Sequence, residues 1–174
     1  MKHITDVIKP PAIPSEAPNG GQWPSIETAL NLILPGEYKE FVVTYGTGAV
    51  DGFLWILNPF SKNRNLNLVS QISDRLDAQR RFSEESGRIN PYSLYPSMDG
   101  LLPWGVSDNG DVLYWQCKGS PSTWPIVVCD SRSSRWQEIQ LSFNEFLISL
   151  VTKTLIVSAF PADFPSGSPE FIST

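Results

Sequence analysis

Leu101–Asp130, LLPWGVSDNGDVLYWQCKGSPSTWPIVVCD, decides how this chain folds. It holds three of the six tryptophans and two runs of strand-forming residues, Val112–Trp115 and Trp124–Cys129. Between Val106 and Val112 lies Asp108-Asn109-Gly110-Asp111. Asn-Gly predicts a type I′ hairpin turn, which needs positive φ at both central residues. Val112–Trp115 is too apolar for a surface loop. Ile126-Val127-Val128-Cys129 reads as a strand buried on both faces. The segment is expected to form the middle of a sheet that other elements must cover.

Working outward, Trp136–Leu141 predicts a further strand. Ser142 with Glu145 then forms the S-x-x-E pattern of a capping box before Phe143, Phe146, Leu147, Leu150, Val151 and Leu155. On the N-terminal side, Ser25 is expected to cap a helix with Ile26, Ala29, Leu30 and Ile33 on one stripe. Pro35-Gly36 ends it. A second helix follows with Tyr38, Phe41, Val42 and Tyr45 inward and Gly46 as its stop. Val50–Leu57 reads as one strand closed by Asn58-Pro59. A third helix is expected over about Asn65 to Glu85, with Leu66, Val69, Ile72 and Leu76 inward. Its charges pair at i,i+4 (Asp77–Arg81, Arg80–Glu84, Arg81–Glu85) on a solvated face. Residues 88–100 form a turn-rich loop. The order ααβ-α-ββββ-α is that of an α+β fold, with helices packed on a mostly antiparallel sheet.

The ends differ in composition from this body. Residues 1–24 hold five of the fifteen prolines and Asn19-Gly20-Gly21, which predicts an irregular or partly disordered arm. Residues 157–174 hold three prolines with Phe160, Phe164 and Phe171. Such a tail either docks on the body or mediates assembly. The expected division is an arm to residue 24, one domain over 25–156 and the tail.

Length and composition suit one globular domain of 174 residues, 41% apolar and 18% charged. The net charge of −5 and pI of about 4.8 argue against nucleic acid as a partner. Residues 89–174 carry four Lys/Arg against eight Asp/Glu, while residues 61–88 carry six against four. The sheet region is therefore acidic and could complement a basic partner. The N-terminus has no apolar h-region and no run reaches the length of a membrane span, so a cytoplasmic protein without membrane association is expected. Cys117 and Cys129 read as reduced core thiols.

Little in the sequence suggests chemistry. The one histidine, His3, lies in the arm, which disfavours Ser–His–Asp or Cys–His machinery and any His/Cys metal site. Asp108-x-Gly110-Asp111 faintly resembles a calcium loop, but the position for its closing glutamate is Gly119. No glycine-rich phosphate loop opens a helix. No catalytic, cofactor-binding or metal residue is assigned, and no cofactor is expected. Asp51, Asp99, Asp108, Asp111 and Asp130 border the sheet and leave paired-carboxylate hydrolysis as a further alternative. Trp104, Trp115, Trp124 and Trp136 are mostly expected in the core, although any left exposed would suit a partner.

Two motifs, in order, resemble one family. IETALNLILPGEYKEFVVTYGTG, with Glu27, Leu34, Pro35, Tyr38, Phe41, Tyr45 and Gly46, is similar to the opening of the SUKH superfamily. LLPWGVSDNGDVLYW, with Pro103, Trp104, Gly105, Asn109, Gly110, Asp111 and Trp115, resembles its second signature. Trp124 and the closing helix follow in the family's order. The resemblance covers about residues 25–155, with residues 61–100 longer than is usual between the two motifs. It implies an α+β fold and a non-enzymatic role. Bacterial SUKH-like proteins look like immunity proteins that bind and neutralise a cognate toxin, often a nuclease or deaminase. A fungal branch resembles a cell-wall-assembly regulator, which leaves a general scaffold or regulator as the alternative function. Asp99, Asp108, Asp111 and Asp130, with Tyr92 or Tyr95, are the expected partner contacts. The oligomeric state is left open.

Overall fold

The computed structural model describes residues 2–174. Helices α1 (Trp23–Leu30) and α2 (Gly36–Tyr45) lead into strands β1 (Gly48–Val50) and β2 (Leu54–Ile56). After α3 (Leu68–Ser86) come β3 (Leu101–Ser107), β4 (Val112–Gln116), β5 (Ile126–Cys129) and β6 (Trp136–Ile139). The chain closes with α4 (Phe143–Val151) and β7 (Phe171–Ser173). All seven strands form one antiparallel sheet in the order β6-β5-β4-β3-β2-β1-β7. The α+β class expected from the sequence is the class observed.

The quoted stretch is indeed the sheet centre. Strand β3 is buried at every position and β4 at four of its five. Side chains alternate between faces along a strand, so burial throughout requires a cover on each side. On one face Trp104 and Trp115 stack with ring centroids 5.7 Å apart. Tyr38 of α2 meets Trp115 edge-on at 5.0 Å, and Phe143 of α4 meets Trp104 edge-on at 5.0 Å. On the other face α3 packs over β3, and a cleft lined by Arg75, Ala78 and Phe82 of the helix and by Val112 and Tyr114 of β4 lies beside that contact. Trp104 reaches its face through a bulge, where the β3–β4 register shifts between Pro103 and Gly105.

Several local expectations are corrected. Helix α1 begins at Trp23 with Pro24 in its first turn, and Ser25 donates its hydroxyl to the Gln22 carbonyl in place of capping. The helix stops at Leu30, so Ile33 lies beyond it and is exposed. The single strand expected over Val50–Leu57 is a hairpin, because Asp51 and Gly52 take positive φ and turn the chain. In α3, Asn67 caps the N-terminus, and Leu68, Gln71, Ile72 and Leu76 are buried, whereas Val69 is partly exposed. Its ion pairs are Asp77–Arg80 and, from the preceding loop, Arg64–Asp74. They replace the three i,i+4 pairs expected. The capping box at Ser142 and Glu145 forms as predicted, although α4 ends at Val151, before Leu155.

The β3–β4 turn also differs. Gly110 takes φ 88° while Asn109 does not enter the left-handed region. The Gly110 N–H donates to the Ser107 carbonyl and the Ser107 N–H to the Asp111 carbonyl. This is a three-residue loop with a bulging glycine, the next commonest hairpin after the two-residue type I′.

Both ends of the chain are docked. Ile4 and Ile8 of the arm are buried, and Tyr45 donates its hydroxyl to the Ile8 carbonyl at 2.6 Å. Apart from a 3₁₀ turn at Ile4–Asp6, the stretch before α1 is without regular structure but held in place. The tail lays Phe160 and Phe164 against Phe53 and adds β7 beside β1, with Phe171 against Phe41 and Tyr45. Docking is thus the outcome for the phenylalanine-rich tail.

Two substitutions test this account. Tyr38 is fully buried and donates to the Leu57 carbonyl at 2.6 Å, so Tyr38→Phe strands a buried acceptor and should lower stability by about 1–3 kcal/mol. At Gly46 (φ 71°) a Cβ would lie 2.1 Å from the Ser15 carbonyl oxygen. Gly46→Ala should therefore cost more than the ~1–2 kcal/mol of left-handed strain alone. Urea denaturation measures both, and a Gly46→Ala loss no greater than ~1–2 kcal/mol would contradict the close packing of arm on helix.

Candidate functional site

The turns at one end of the sheet collect the acidic residues singled out in the sequence. Asp51 lies in the β1–β2 turn, Asp108 and Asp111 around the β3–β4 turn, and Asp130 opens the β5–β6 turn. Their roles differ. Asp108 is exposed and accepts the Trp55 indole N–H at 2.8 Å. Asp51 accepts the N–H groups of Ser166 and Glu170 at 2.7 and 2.9 Å, which fixes the tail. Asp130 accepts the N–H groups of Arg132 and Ser133. Partial burial opposes its ionisation. Those N–H groups, the Ser133 hydroxyl and the Arg132 charge outweigh that and hold its pKa below the usual value.

Asp111 is removed from the expected partner contacts. It is 0% exposed, and its carboxylate accepts the hydroxyls of Ser107 (2.6 Å) and Ser131 (3.0 Å) and the Ser131 N–H (2.9 Å). Ser131 also donates to the Asn109 carbonyl at 2.8 Å. Asp111 is therefore a clamp between the β3–β4 and β5–β6 turns. Three donors satisfy a buried carboxylate far better than a partner at the surface could reach it.

The other expected contacts lie elsewhere. Asp99 is half-buried just before β3, at the opposite end of the sheet. Tyr95 is half-buried and donates its hydroxyl to the Leu30 carbonyl at the end of α1. Tyr92 packs on Trp136 at 5.4 Å and donates to Glu138 Oε2 at 3.1 Å. Burial, and then the Glu138 carboxylate, raise its pKa. The sequence-predicted contacts therefore do not form one patch; Asp108 and Asp130 share an end, and Tyr92 marks the outer strand.

The motif residues are structural. Glu27 Oε1 accepts the Leu34 N–H at 3.0 Å and the Lys39 ammonium at 2.7 Å, joining α1 to the start of α2. Leu34 is buried, Pro35 caps α2, and Trp104, Trp115 and Trp124 are core. Reading by sequence missed Glu16 and Asn58. Asn58 is fully buried, donating to Thr47 Oγ1 at 2.8 Å and accepting the Phe60 N–H at 2.9 Å. Glu16 accepts from Thr47 Oγ1 and the Lys62 N–H. Burial opposes its ionisation, but the Lys62 N–H, the hydroxyls of Thr47 and Ser61 and the Lys62 charge hold its pKa below normal. Asn58-Pro59 looked only like a strand end, and Glu16 lay in a stretch taken as irregular.

Among the described residues, no group of three or more His, Cys, Asp or Glu is placed to hold a metal ion. No helix among them is long and apolar enough to cross a membrane. A cleft of about 210 Å³ lies between α3 and the β4–β5 surface, lined by Arg75, Phe82, Val112, Tyr114, Cys129 and Asp130. It shares Gln79, Phe82 and Ser134 with a second hollow of about 150 Å³ beside Ile89, Asn90 and Trp136. Together they make a trough along one side of α3 toward β6.

Both cysteines are free and half-buried. Burial, then Asp99, raises the Cys117 thiol to about 12; burial, then Asp130 and Asp111, raises Cys129 to about 12. At pH 8 the thiolate fraction is then on the order of 10⁻⁴, so the native protein should react with a disulfide reagent far more slowly than the urea-unfolded chain. Because the folded pKa values are raised, these thiols contribute stability that is intact below about pH 8.5 and is lost as pH rises toward 12. Native thiols reacting as fast as unfolded ones would contradict the burial.

The SUKH_6 family, described as SMI1-KNR4 cell-wall, matches residues 21–147. No curated protein matches the chain. The matched span takes in both helices of the N-terminal hairpin, the glutamate that joins them and the whole sheet centre with its Asp111 clamp. On that match and this architecture, the chain belongs to the SUKH (SMI1-KNR4) superfamily.

Proposed function

We propose that this protein is an immunity protein, which binds a cognate toxin domain and neutralises it by contact alone. The family match carries the reading, because membership supports an immunity-protein-like or related role. The acid excess of the sheet region supports a basic toxin such as a nuclease or deaminase domain. Asp108 and Asp130, on neighbouring turns at one sheet end, would steer such a partner in. Tyr92 on the outer strand would extend the contact, and Asp99 would add a peripheral charge. The action would be stoichiometric and need no cofactor.

A second reading follows from the cell-wall description of the family: a scaffold or regulator of a cellular protein, with no toxin involved. Gene context separates the two.

The test is co-expression with the toxin encoded beside the gene. Growth should be rescued and the two proteins should co-purify; absence of both would end the immunity reading. Asp108→Asn with Asp130→Asn keeps an acceptor at each site and removes the charge. Association should slow by several-fold at low salt and lose much of its salt dependence. An unchanged on-rate would reduce these acids to turn residues.

A further inference from the structure

Strand β6 is the outermost strand on its side of the sheet. Its inner edge pairs with β5 in the register Cys129↔Trp136, Val128↔Gln137 and Val127↔Glu138. The Asp130 N–H donates to the Arg135 carbonyl. Antiparallel pairs alternate between bonded and non-bonded, so Arg135, Gln137 and Ile139 turn their backbone groups inward and Trp136 and Glu138 turn theirs outward. Among the described residues, no N–H or carbonyl bonds those four outward groups. Edges of this kind are usually guarded by charge. Here the one charge on the strand, Glu138, is held by the Tyr92 hydroxyl and the Gln140 amide.

A hollow lies beside that edge, on the face shared by Trp136 and Glu138. Its lining includes Phe82, Ile89, Pro91 and Trp136. Phe82 is 41% and Ile89 93% exposed, which is unusual for large apolar side chains. The same hollow contains Asn90, whose Oδ1 accepts the Tyr92 N–H while its buried Nδ2 has no acceptor. A buried amide donor without a partner is costly and needs an oxygen. The opposite edge, β7, turns Phe171 and Ser173 outward in the same way, while Thr174 closes back onto the Thr47 carbonyl on the strand's inner side; the hollow beside β6 is what singles that edge out.

We propose that β6 and the hollow beside it dock an extended segment of the toxin as an eighth strand. The inference rests on the immunity reading and names the surface it uses. An added strand satisfies the Trp136 and Glu138 backbone groups. Paired residues share a face, so its residue opposite Glu138 drops an apolar side chain between Phe82, Ile89 and Trp136. An oxygen of the same segment takes the Asn90 amide. The occupant is thus an uninterrupted, proline-free stretch with alternating apolar residues.

The probe is the catalytically inactive toxin domain encoded beside the gene, with binding kinetics read by interferometry and folding by circular dichroism. Glu138→Pro removes an outward N–H and leaves the bonds to β5 intact, as proline permits at a sheet edge. It should weaken binding at least 30-fold, through the off-rate, with the native melting temperature kept within a few degrees. Phe82→Ser, at the surface, should weaken it about 10-fold. If wild type binds and both folded variants bind equally well, the docking surface is wrong and the immunity reading stands. If wild type does not bind, both fall. A Glu138-dependent dimer of this chain in sedimentation would place a second copy on the edge and overturn the proposal.

Discussion

Strands β3 and β4 are apolar on both faces, and that constraint shapes the whole molecule. A sheet with one wet face would alternate in polarity along each strand; this one does not, so it must be covered twice. Helices α2 and α4 cover one face through an aromatic cluster of Tyr38, Trp104, Trp115 and Phe143, and Trp23 of α1 packs on Tyr38 behind it. The long segment between the two family motifs supplies α3 for the other. The extended residues 61–100 are therefore the second cover of the core and part of the fold.

The chain ends complete the structure through polar contacts. Thr47 is the meeting point. Its N–H donates to the Ser15 carbonyl, its hydroxyl donates to Glu16 and accepts from Asn58, and its carbonyl accepts from Thr174. One residue between α2 and β1 thus ties arm, sheet and tail together. Every one of these groups would be a desolvated liability if its partner were displaced. The network explains why proline-rich stretches that cannot form helix or strand are still fixed.

Apolar spacing made the helices and the central strands legible. Tyr38, Phe41, Val42 and Tyr45 repeat at helical intervals, and Ile126–Cys129 is a continuous apolar run. Features decided by partners distant in sequence were not legible. Asp111 looked like a surface turn acid because the Ser131 that buries it is twenty residues away. Asn109-Gly110 announced a hairpin, but local propensity did not select between a two-residue turn and a three-residue bulged loop. The docked arm depends on Asn58 and Tyr45, far along the chain, and the β7 pairing on Gly48–Val50. The trough beside α3 arises because the helix packs over β3 and leaves β4 to β6 less covered, which no periodicity reports.

The functional account follows from what this scaffold leaves unsatisfied. At the sheet end, Asp51, Asp111 and Asp130 are engaged in holding turns and the tail. Among its open backbone groups, those on β6 lie next to exposed Phe82 and Ile89. Amide hydrogen exchange, with and without the inactive toxin domain, addresses that edge residue by residue. The account predicts that the Trp136 and Glu138 amides exchange fast in the free protein and become strongly protected in the complex. Protection confined to other surfaces, with these two amides unchanged, would contradict it.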